Sequence, residues 1–187
     1  MNQDVKKAKE ALINGGIICY PTDTIWGLGC DATNPEAVEK LFKIKKRDTS
    51  KSMLILLNDV GRVPTYVETM PDVAYDLYDT ATSPLTLILP NAKNLAPNLI
   101  ADDGTIGIRV VDHPWCNKLL QQFKKPIVST SANYTGEPVA QIFDEINKII
   151  LDQCDYVAEY DRENTMANKP SSIIKLGAGG EVEVIRE

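Results

Sequence analysis

The sequence of 187 residues lacks several features on which common protein classes depend. It has one His, and none of its four Cys forms a Cys-x-x-Cys pair, which argues against a zinc site or a disulfide framework. We expect reduced, mostly buried thiols instead. There is no Gly-x-Ser-x-Gly elbow, and His113 precedes Pro114, a pair typical of a helix start, so a serine nucleophile activated by His is not expected. The four cysteines are Cys19, Cys30, Cys116 and Cys154.

Long apolar runs are absent too. No stretch approaches the roughly 18 residues that a membrane-spanning helix needs. Residues 1–10 mix Lys with Asp and Glu and contain no apolar segment of a secretory signal, so we expect a cytoplasmic protein with no membrane partner. At roughly 100 to 200 residues per domain, we expect one domain over residues 1–187.

The chain also has no excess of positive charge, since its formal net charge is −6. Residues 137–187 hold 11 acidic and 5 basic side chains, whereas the two signs balance before them. Non-specific nucleic-acid binding relies on a broad basic face, so any anion here must be held by a local cluster. One such cluster places five cations within nine residues: Lys43, Lys45, Lys46, Arg47 and Lys51. Solvation and the helix dipole are enough to favour cations at a helix end, but the density of this cluster favours a phosphate-bearing ligand.

Short apolar runs alternate with amphipathic stretches, which is typical of an α/β protein. Helices are predicted at residues 5–13, from residue 35, after residue 71, at 115–123 and along 142–150, where Ile recurs at helical spacing. Strands are predicted at residues 17–20, 53–57, 85–89, 105–111, 126–129, 172–176 and 182–185, the last two joined by a glycine turn.

Hydroxyl-bearing and glycine-containing segments adjoin several of these strands, where α/β sheets bind ligands. In the first, residues 20–30, threonines and glycines would let a ligand approach closely, although a simple strand end with a turn is the alternative. Arg109 stands in an otherwise apolar strand and needs an anionic partner, either a protein carboxylate or a ligand carboxylate or phosphate. The other segments are residues 83–86, 129–138 and 169–172.

Six motifs follow one another along the chain: Pro21-Thr22-Asp23-Thr24-x-Trp26-Gly27-Leu28-Gly29, Lys45-x-Arg47, Pro84-Leu85-Thr86, Ile108-Arg109-Val110, Ser129-Thr130-Ser131-Ala132-Asn133-x-Thr135-Gly136 and Pro170-Ser171-Ser172. In this order they resemble the YrdC/Sua5 family of threonylcarbamoyl-AMP synthases, and the resemblance covers the chain from about residue 8 to its C-terminus. The resemblance implies an α/β fold in which a twisted, largely mixed sheet with packed helices surrounds a positively lined cavity. It also implies a reaction in which L-threonine, bicarbonate or CO2 and ATP become threonylcarbamoyl-AMP and pyrophosphate, the first step toward t6A at position 37 of tRNA.

The same resemblance implies roles for individual residues. Lys45 and Arg47 would be catalytic, and the residues implied to bind ATP are Arg47, Lys51, Thr86, Ser129, Ser131 and Asn133. Threonine or its carbamate would be held by Thr24, Arg109 and Ser171. No metal site in the protein is implied, since Mg2+ would come with ATP. The remaining implied partners are a downstream tRNA-modifying threonylcarbamoyl transferase and weakly bound tRNA.

The chain departs from the family pattern at a few positions. Trp26 replaces Tyr or Phe, Asp48 replaces Pro, Lys51-Ser52-Met53 replaces Lys-Pro-Leu, and Ser83 replaces Gly, but none of these changes removes a charged group. Two other functions stay open. One is an RNA-binding module that uses the cations, although residues 43–51 contain no aromatic side chain for base stacking. The other is a paralogue that acts on another carbamoyl or acyl adenylate.

Overall fold

The computed structural model describes residues 1–47 and 53–187. Within these ranges five α-helices and nine strands follow one another along the chain. The helices are α1 (Asn2–Ile13), α2 (Pro35–Lys45), α3 (Asp72–Thr80), α4 (Pro114–Phe123) and α5 (Lys148–Leu151). The strands are β1 (Ile18–Tyr20), β2 (Gly27–Gly29), β3 (Leu54–Leu57), β4 (Leu85–Leu89), β5 (Ile106–Val110), β6 (Ile127–Ser131), β7 (Tyr156–Val157), β8 (Ser172–Leu176) and β9 (Val182–Arg186).

All nine strands join one mixed sheet in the order β7-β1-β2-β6-β3-β5-β4-β8-β9. The pairs β1–β7, β3–β5 and β4–β8 are parallel, and the other five are antiparallel. The predicted class, an α/β protein with a largely mixed sheet, is therefore confirmed. None of the helices in the described part of the chain is long and apolar enough to cross a bilayer.

The middle of the sheet is the core. Ile55, Leu56 and Leu57 of β3 are completely buried, as expected for a strand that is apolar at consecutive positions because both of its faces are covered. Helices α1 and α4 pack on each other, and Trp115 of α4 donates its indole N–H to the buried carboxylate of Asp4, 2.6 Å away. Asp4 Oδ1 also accepts the backbone N–H of residue 159 at 2.9 Å, so this carboxylate joins the first helix to the chain beyond β7.

Helix α2 begins and ends at residues that its sequence specifies. The side chain of Asn34 accepts hydrogen bonds from the backbone N–H groups of Glu36 and Ala37, and Pro35 occupies the first turn. The helix ends at Lys46, whose φ of 49° is left-handed. The predicted helix start is confirmed, and this C-terminus brings Lys45 toward the loop that follows β6.

One expectation about secondary structure was wrong, and two short strands were missed. The continuous helix over residues 142–150 is replaced by a 3-10 turn at Phe143–Glu145 and the one-turn helix α5, because Ile146 is extended and Asn147 caps a new start by accepting from the N–H of Ile149. The short strands β2 and β7 were not predicted. Strand β2 contains Gly29, where a Cβ atom would lie 2.3 Å from the carbonyl oxygen of Val128, so this glycine serves strand packing.

Candidate functional site

A cavity of about 270 Å³ lies on one face of the sheet. Its wall follows the strand register: Ser129, Leu54, Gly107 and Ile88 are aligned across four neighbouring strands. Because alternate residues of a strand face the same side, the side chains of Thr86 and Ser131, two residues away on β4 and β6, point the same way. Loops at the strand ends complete the lining with Thr24, Ile25, Arg47, Met53, Val139, Pro170 and Ser171.

The structure brings together most of the residues that the sequence proposed for ligand binding. Those on the wall of this one cavity are Thr24, Arg47, Thr86, Arg109, Ser129, Ser131 and Ser171. Lys45 and Asn133 lie directly behind the wall, in contact with each other and with Ser131. Lys51 lies outside the described residues.

Arg109 is the buried cation of the cavity, 4% exposed. Its Nη1 donates to Thr24 Oγ1 at 2.7 Å, and its Nη2 lies 3.5 Å from Asp23 Oδ1. The partner that the sequence required is thus a protein carboxylate, Asp23, which the sequence had not assigned to the site. Within the described residues, Arg109 Nε and Asp23 Oδ1 are both buried without a hydrogen-bond partner, so the pair is held by charge rather than by a direct hydrogen bond.

Thr86 and Ser171 are joined by a hydrogen bond of 2.8 Å between their hydroxyl oxygens. Behind them, Arg186 donates from Nε and Nη2 to the carbonyl oxygen of Ser171, at 2.9 and 2.6 Å. The pKa of Arg186 is lowered mainly by its partial burial and, to a smaller extent, by the positive charge of Arg109. Both arginines line the cavity. Sequence reasoning missed Arg186, whose only signal was a cation at the end of the last predicted strand.

The cluster at the end of α2 divides in the structure. Arg47 lines the cavity, and burial lowers its pKa. Lys43 lies on the exposed helix face and pairs with Glu39 at 2.7 Å, and Lys46 stacks on the ring of Tyr134, 4.2 Å from its centre. Within residues 1–47 and 53–187, therefore, the dense run of cations contributes one side chain to the cavity wall.

Lys45 faces inward from the same helix. Its ammonium donates to the carbonyl oxygens of Ser131 and Asn133, at 2.6 and 2.5 Å, and to Asn133 Oδ1 at 3.1 Å. Desolvation by burial, and next the positive charge of Arg47, lower the pKa of Lys45 to about 8. The group is therefore charged at neutral pH and held by loop oxygens.

The structure places His113 and the four cysteines in structural positions rather than catalytic ones. His113 is the residue that precedes α4, as predicted, and its pKa is lowered by burial. All four cysteines are unpaired, three of them buried and Cys154 partly buried, which confirms the predicted free thiols. Burial raises the pKa of each thiol, Cys154 to about 12, so these groups stay protonated and unreactive at neutral pH.

The fold and the cavity first define a class: this is an α/β protein whose mixed sheet carries a hydroxyl-lined pocket that contains three arginines. Such a pocket suits a small ligand with several anionic groups. The chain belongs to the Sua5–YciO–YrdC family, whose model, described as "Telomere recombination", matches residues 10–187. The resemblance found in the motifs is confirmed.

Three relatives illustrate the match. The threonylcarbamoyl-AMP synthase of Pseudoalteromonas translucida (strain TAC 125) is 34% identical over 181 residues, 95% of each chain. The crystal structure of E. coli YciO has a TM-score of 0.87 at 26% identity, covering 100% of this chain and 90% of its own. P. abyssi Sua5 complexed with L-threonine has a TM-score of 0.82 at 22% identity, covering 92% of this chain, and shows the shared fold. This chain spans about half of that Sua5, 50% of its length.

Proposed function

We propose that this protein is a threonylcarbamoyl-AMP synthase, which converts L-threonine, bicarbonate or CO2, and ATP into threonylcarbamoyl-AMP and pyrophosphate. The observation that carries the proposal is the convergence of Arg47, Arg109 and Arg186 on one hydroxyl-lined cavity. The relative from Pseudoalteromonas that is named for this activity matches 95% of this chain, which supports the same activity here.

The chemistry asks for charge neutralisation and positioning. The amine of threonine attacks the carbon of CO2, forming an N–C bond and releasing a proton. A carbamate oxygen then attacks the α-phosphorus of ATP, the bond from that phosphorus to the oxygen bridging to the β-phosphate breaks, and pyrophosphate leaves with the electron pair. Both reactants are anions, so fixed guanidinium groups and hydroxyls lower the barrier, and no protein nucleophile is needed.

The geometry supports a division of the cavity between the two substrates. We propose that Arg109 and Thr24, joined at 2.7 Å, hold the carboxylate or carbamate of threonine together with Ser171. Arg47 serves the phosphates of ATP, as a planar guanidinium can grip two phosphate oxygens at once. Arg186 neutralises further charge where the two groups meet, since it is held on the carbonyl of Ser171.

The remaining residues of the nucleotide region are proposed on their position. Ser129, Ser131 and Thr86 line the cavity, and Asn133 stands behind Ser131, accepting from its hydroxyl at 2.5 Å. Lys51 would bind ATP as well, a role that rests on its motif alone.

We further propose that Mg2+ is delivered with ATP. Across the described residues, no group of three or more His, Cys, Asp or Glu side chains is arranged to hold a metal ion. The product would be consumed by a tRNA-modifying threonylcarbamoyl transferase, which makes this reaction the first step toward t6A at position 37 of tRNA. Weak tRNA binding and a cytoplasmic location are part of the same proposal.

The test is pyrophosphate formation from ATP with each substrate omitted in turn. We expect release only when both threonine and bicarbonate are present. Release indifferent to threonine contradicts the proposal, and equal release with other amino acids indicates a paralogue that makes another adenylate. Tight tRNA binding with a steep salt dependence and no ATP turnover indicates an RNA-binding module.

A further inference from the structure

The ammonium group of Lys45 is fully engaged inside the protein. The residue is 2% exposed, although it belongs to the cation-rich end of α2. An ammonium group has three N–H donors, and two carbonyl oxygens and one amide oxygen lie within 3.1 Å of this one. A phosphate oxygen could bind Lys45 only by displacing one of these bonds.

The backbone of the same residue holds the other end of the loop. The carbonyl oxygen of Lys45 accepts from both the N–H and the hydroxyl of Thr135, at 3.1 and 3.0 Å. Asn133 then closes the loop on itself by donating from Nδ2 to the carbonyl oxygen of Glu137 at 2.7 Å. One residue of α2 therefore fixes a loop that leaves the centre of the sheet, through its side chain at residues 131 and 133 and through its carbonyl at residue 135.

We propose that Lys45 is a positioning residue that anchors residues 131–135 to the end of α2, rather than a ligand of the triphosphate. Arg47 follows two residues later and lines the cavity together with Ser131. The anchor thus sets the distance between a cation and a hydroxyl that belong to different elements of the fold. The expected effect of this anchor on ATP affinity rests on the proposed function, because the anchored loop borders the ATP region of that same cavity.

The experiment compares the wild-type chain with Lys45→Met, which keeps an unbranched side chain only one atom shorter and removes its donors. Hydrogen exchange of the amides of residues 131–137 and the Kd for ATP are measured without threonine. We expect faster exchange in this loop and a Kd raised about tenfold to a hundredfold, the range for a charged hydrogen bond. Lys43→Met is the matched control: it removes one charge from the exposed face of the same helix, and both readouts should stay at wild-type values.

A double-mutant cycle separates positioning from direct contact. If Lys45 acts through the loop, its substitution in an Asn133→Ala background weakens ATP binding less than it does alone. If the losses of ATP-binding free energy are fully additive and exchange of the loop is unchanged, the proposal is overturned. Lys45 would then act as a direct ligand of the phosphates. If Lys45→Met does not fold, Thr135→Val removes one hydroxyl donor from an exposed residue at the other end of the anchor. It should speed exchange of the loop and weaken ATP binding severalfold, and wild-type values of both would contradict the anchor.

Failure of this inference and failure of the proposed function are distinguishable. Neither exchange nor ATP binding requires turnover. A chain that binds ATP but forms no pyrophosphate overturns the proposed function and leaves the anchor to be judged on its own data. A chain that binds no ATP also overturns the proposed function, and exchange of residues 131–137 in Lys45→Met still decides whether the anchor exists.

Discussion

The hydroxyl oxygens of Thr86 and Ser171 lie 2.8 Å apart, although sequence motifs assigned the first residue to ATP and the second to threonine. They come from β4 and from the loop that enters β8, two strands that pair in parallel. The regions proposed for the two substrates therefore touch at this hydrogen bond. Under the proposed function, these two hydroxyls therefore lie between the ATP region and the threonine region of the cavity.

Loss of either hydroxyl should affect both substrates. We expect Thr86→Val and Ser171→Ala each to raise the KM for ATP and the KM for threonine about fivefold. Each substitution leaves the other hydroxyl without its partner, which costs about 1 kcal/mol. Initial rates of pyrophosphate formation with one substrate varied at a time provide the measurement. A change confined to one KM in each variant would show that the two regions are independent.

Arg47→Ala should cripple the reaction while leaving the fold intact. Loss of a guanidinium that grips phosphate oxygens costs about 3 kcal/mol or more, which corresponds to at least about a hundredfold in kcat/KM for ATP. A half-buried cation at a helix end contributes little to stability, so the midpoint of urea unfolding should move by less than about 0.5 M. Normal turnover in a folded variant would remove Arg47 from the site.

The ion pair between the buried Arg109 and the partly buried Asp23 predicts a stability effect that depends on both residues. Arg109→Met leaves the carboxylate of Asp23 without its cation and should destabilise the fold by up to about 3 kcal/mol. Adding Asp23→Asn should recover part of that loss, since the unpaired charge disappears. Denaturant unfolding of the wild-type chain, the two single variants and the double variant measures the coupling, and additive losses would mean that the two groups do not interact.

The two glycines of β2 should respond differently to Ala. At Gly29 a Cβ atom would lie 2.3 Å from the carbonyl oxygen of Val128, so Gly29→Ala should destabilise the sheet by about 3 kcal/mol or prevent folding. At Gly27 the nearest atom is Ser129 Oγ at 3.3 Å, so the added methyl group would press against a side chain of the cavity wall. Gly27→Ala should therefore fold and lose ATP affinity. Equal unfolding free energies in the two variants would contradict this distinction.

ATP binding should weaken as pH rises through about 8. The pKa of Lys45 is about 8, and deprotonation reduces its donors from three to two, so the loop loses a bond on the alkaline side. Burial is the main cause of this low pKa and the positive charge of Arg47 adds to it, whereas the atoms contacting the ammonium are the neutral oxygens of Ser131 and Asn133. The Kd for ATP measured from pH 6.5 to 9.5 should show this transition in the wild-type chain and lose it in Lys45→Met. An identical alkaline limb in both would assign it to another group.

Local patterns predicted most of the secondary structure. The apolar run of β3 and the Asn34–Pro35 start of α2 depend on neighbouring residues, and the structure confirms both. The stripe of Ile at residues 142–150 misled the same reasoning, because spacing does not report that Asn147 caps a separate helix. The single domain over residues 1–187 stays a prediction.

The order of the motifs predicted which residues line the candidate site better than it predicted the contacts between them. Thr24, Arg109 and Ser131 were named from sequence and line one cavity. Asp23 and Arg186 were not assigned to it, since an ion pair between β5 and a distant loop, and a cation on the last strand, leave no local pattern. The cluster at the end of α2 was identified as a unit, whereas the structure directs its members to different partners.

The sequence alone predicted an α/β protein and the residue types that a phosphate-bearing ligand needs, because turn chemistry and apolar runs are properties of neighbouring residues. The order of its motifs identified the family, and that resemblance implied the mixed sheet. The tertiary structure decided which of those residues face one cavity and that Thr86 contacts Ser171. It also decided that the ammonium of Lys45 donates its hydrogen bonds to the loop after β6. Side-chain direction at a helix end, and contacts across 85 or more positions of the chain, are fixed only when strands and helices pack.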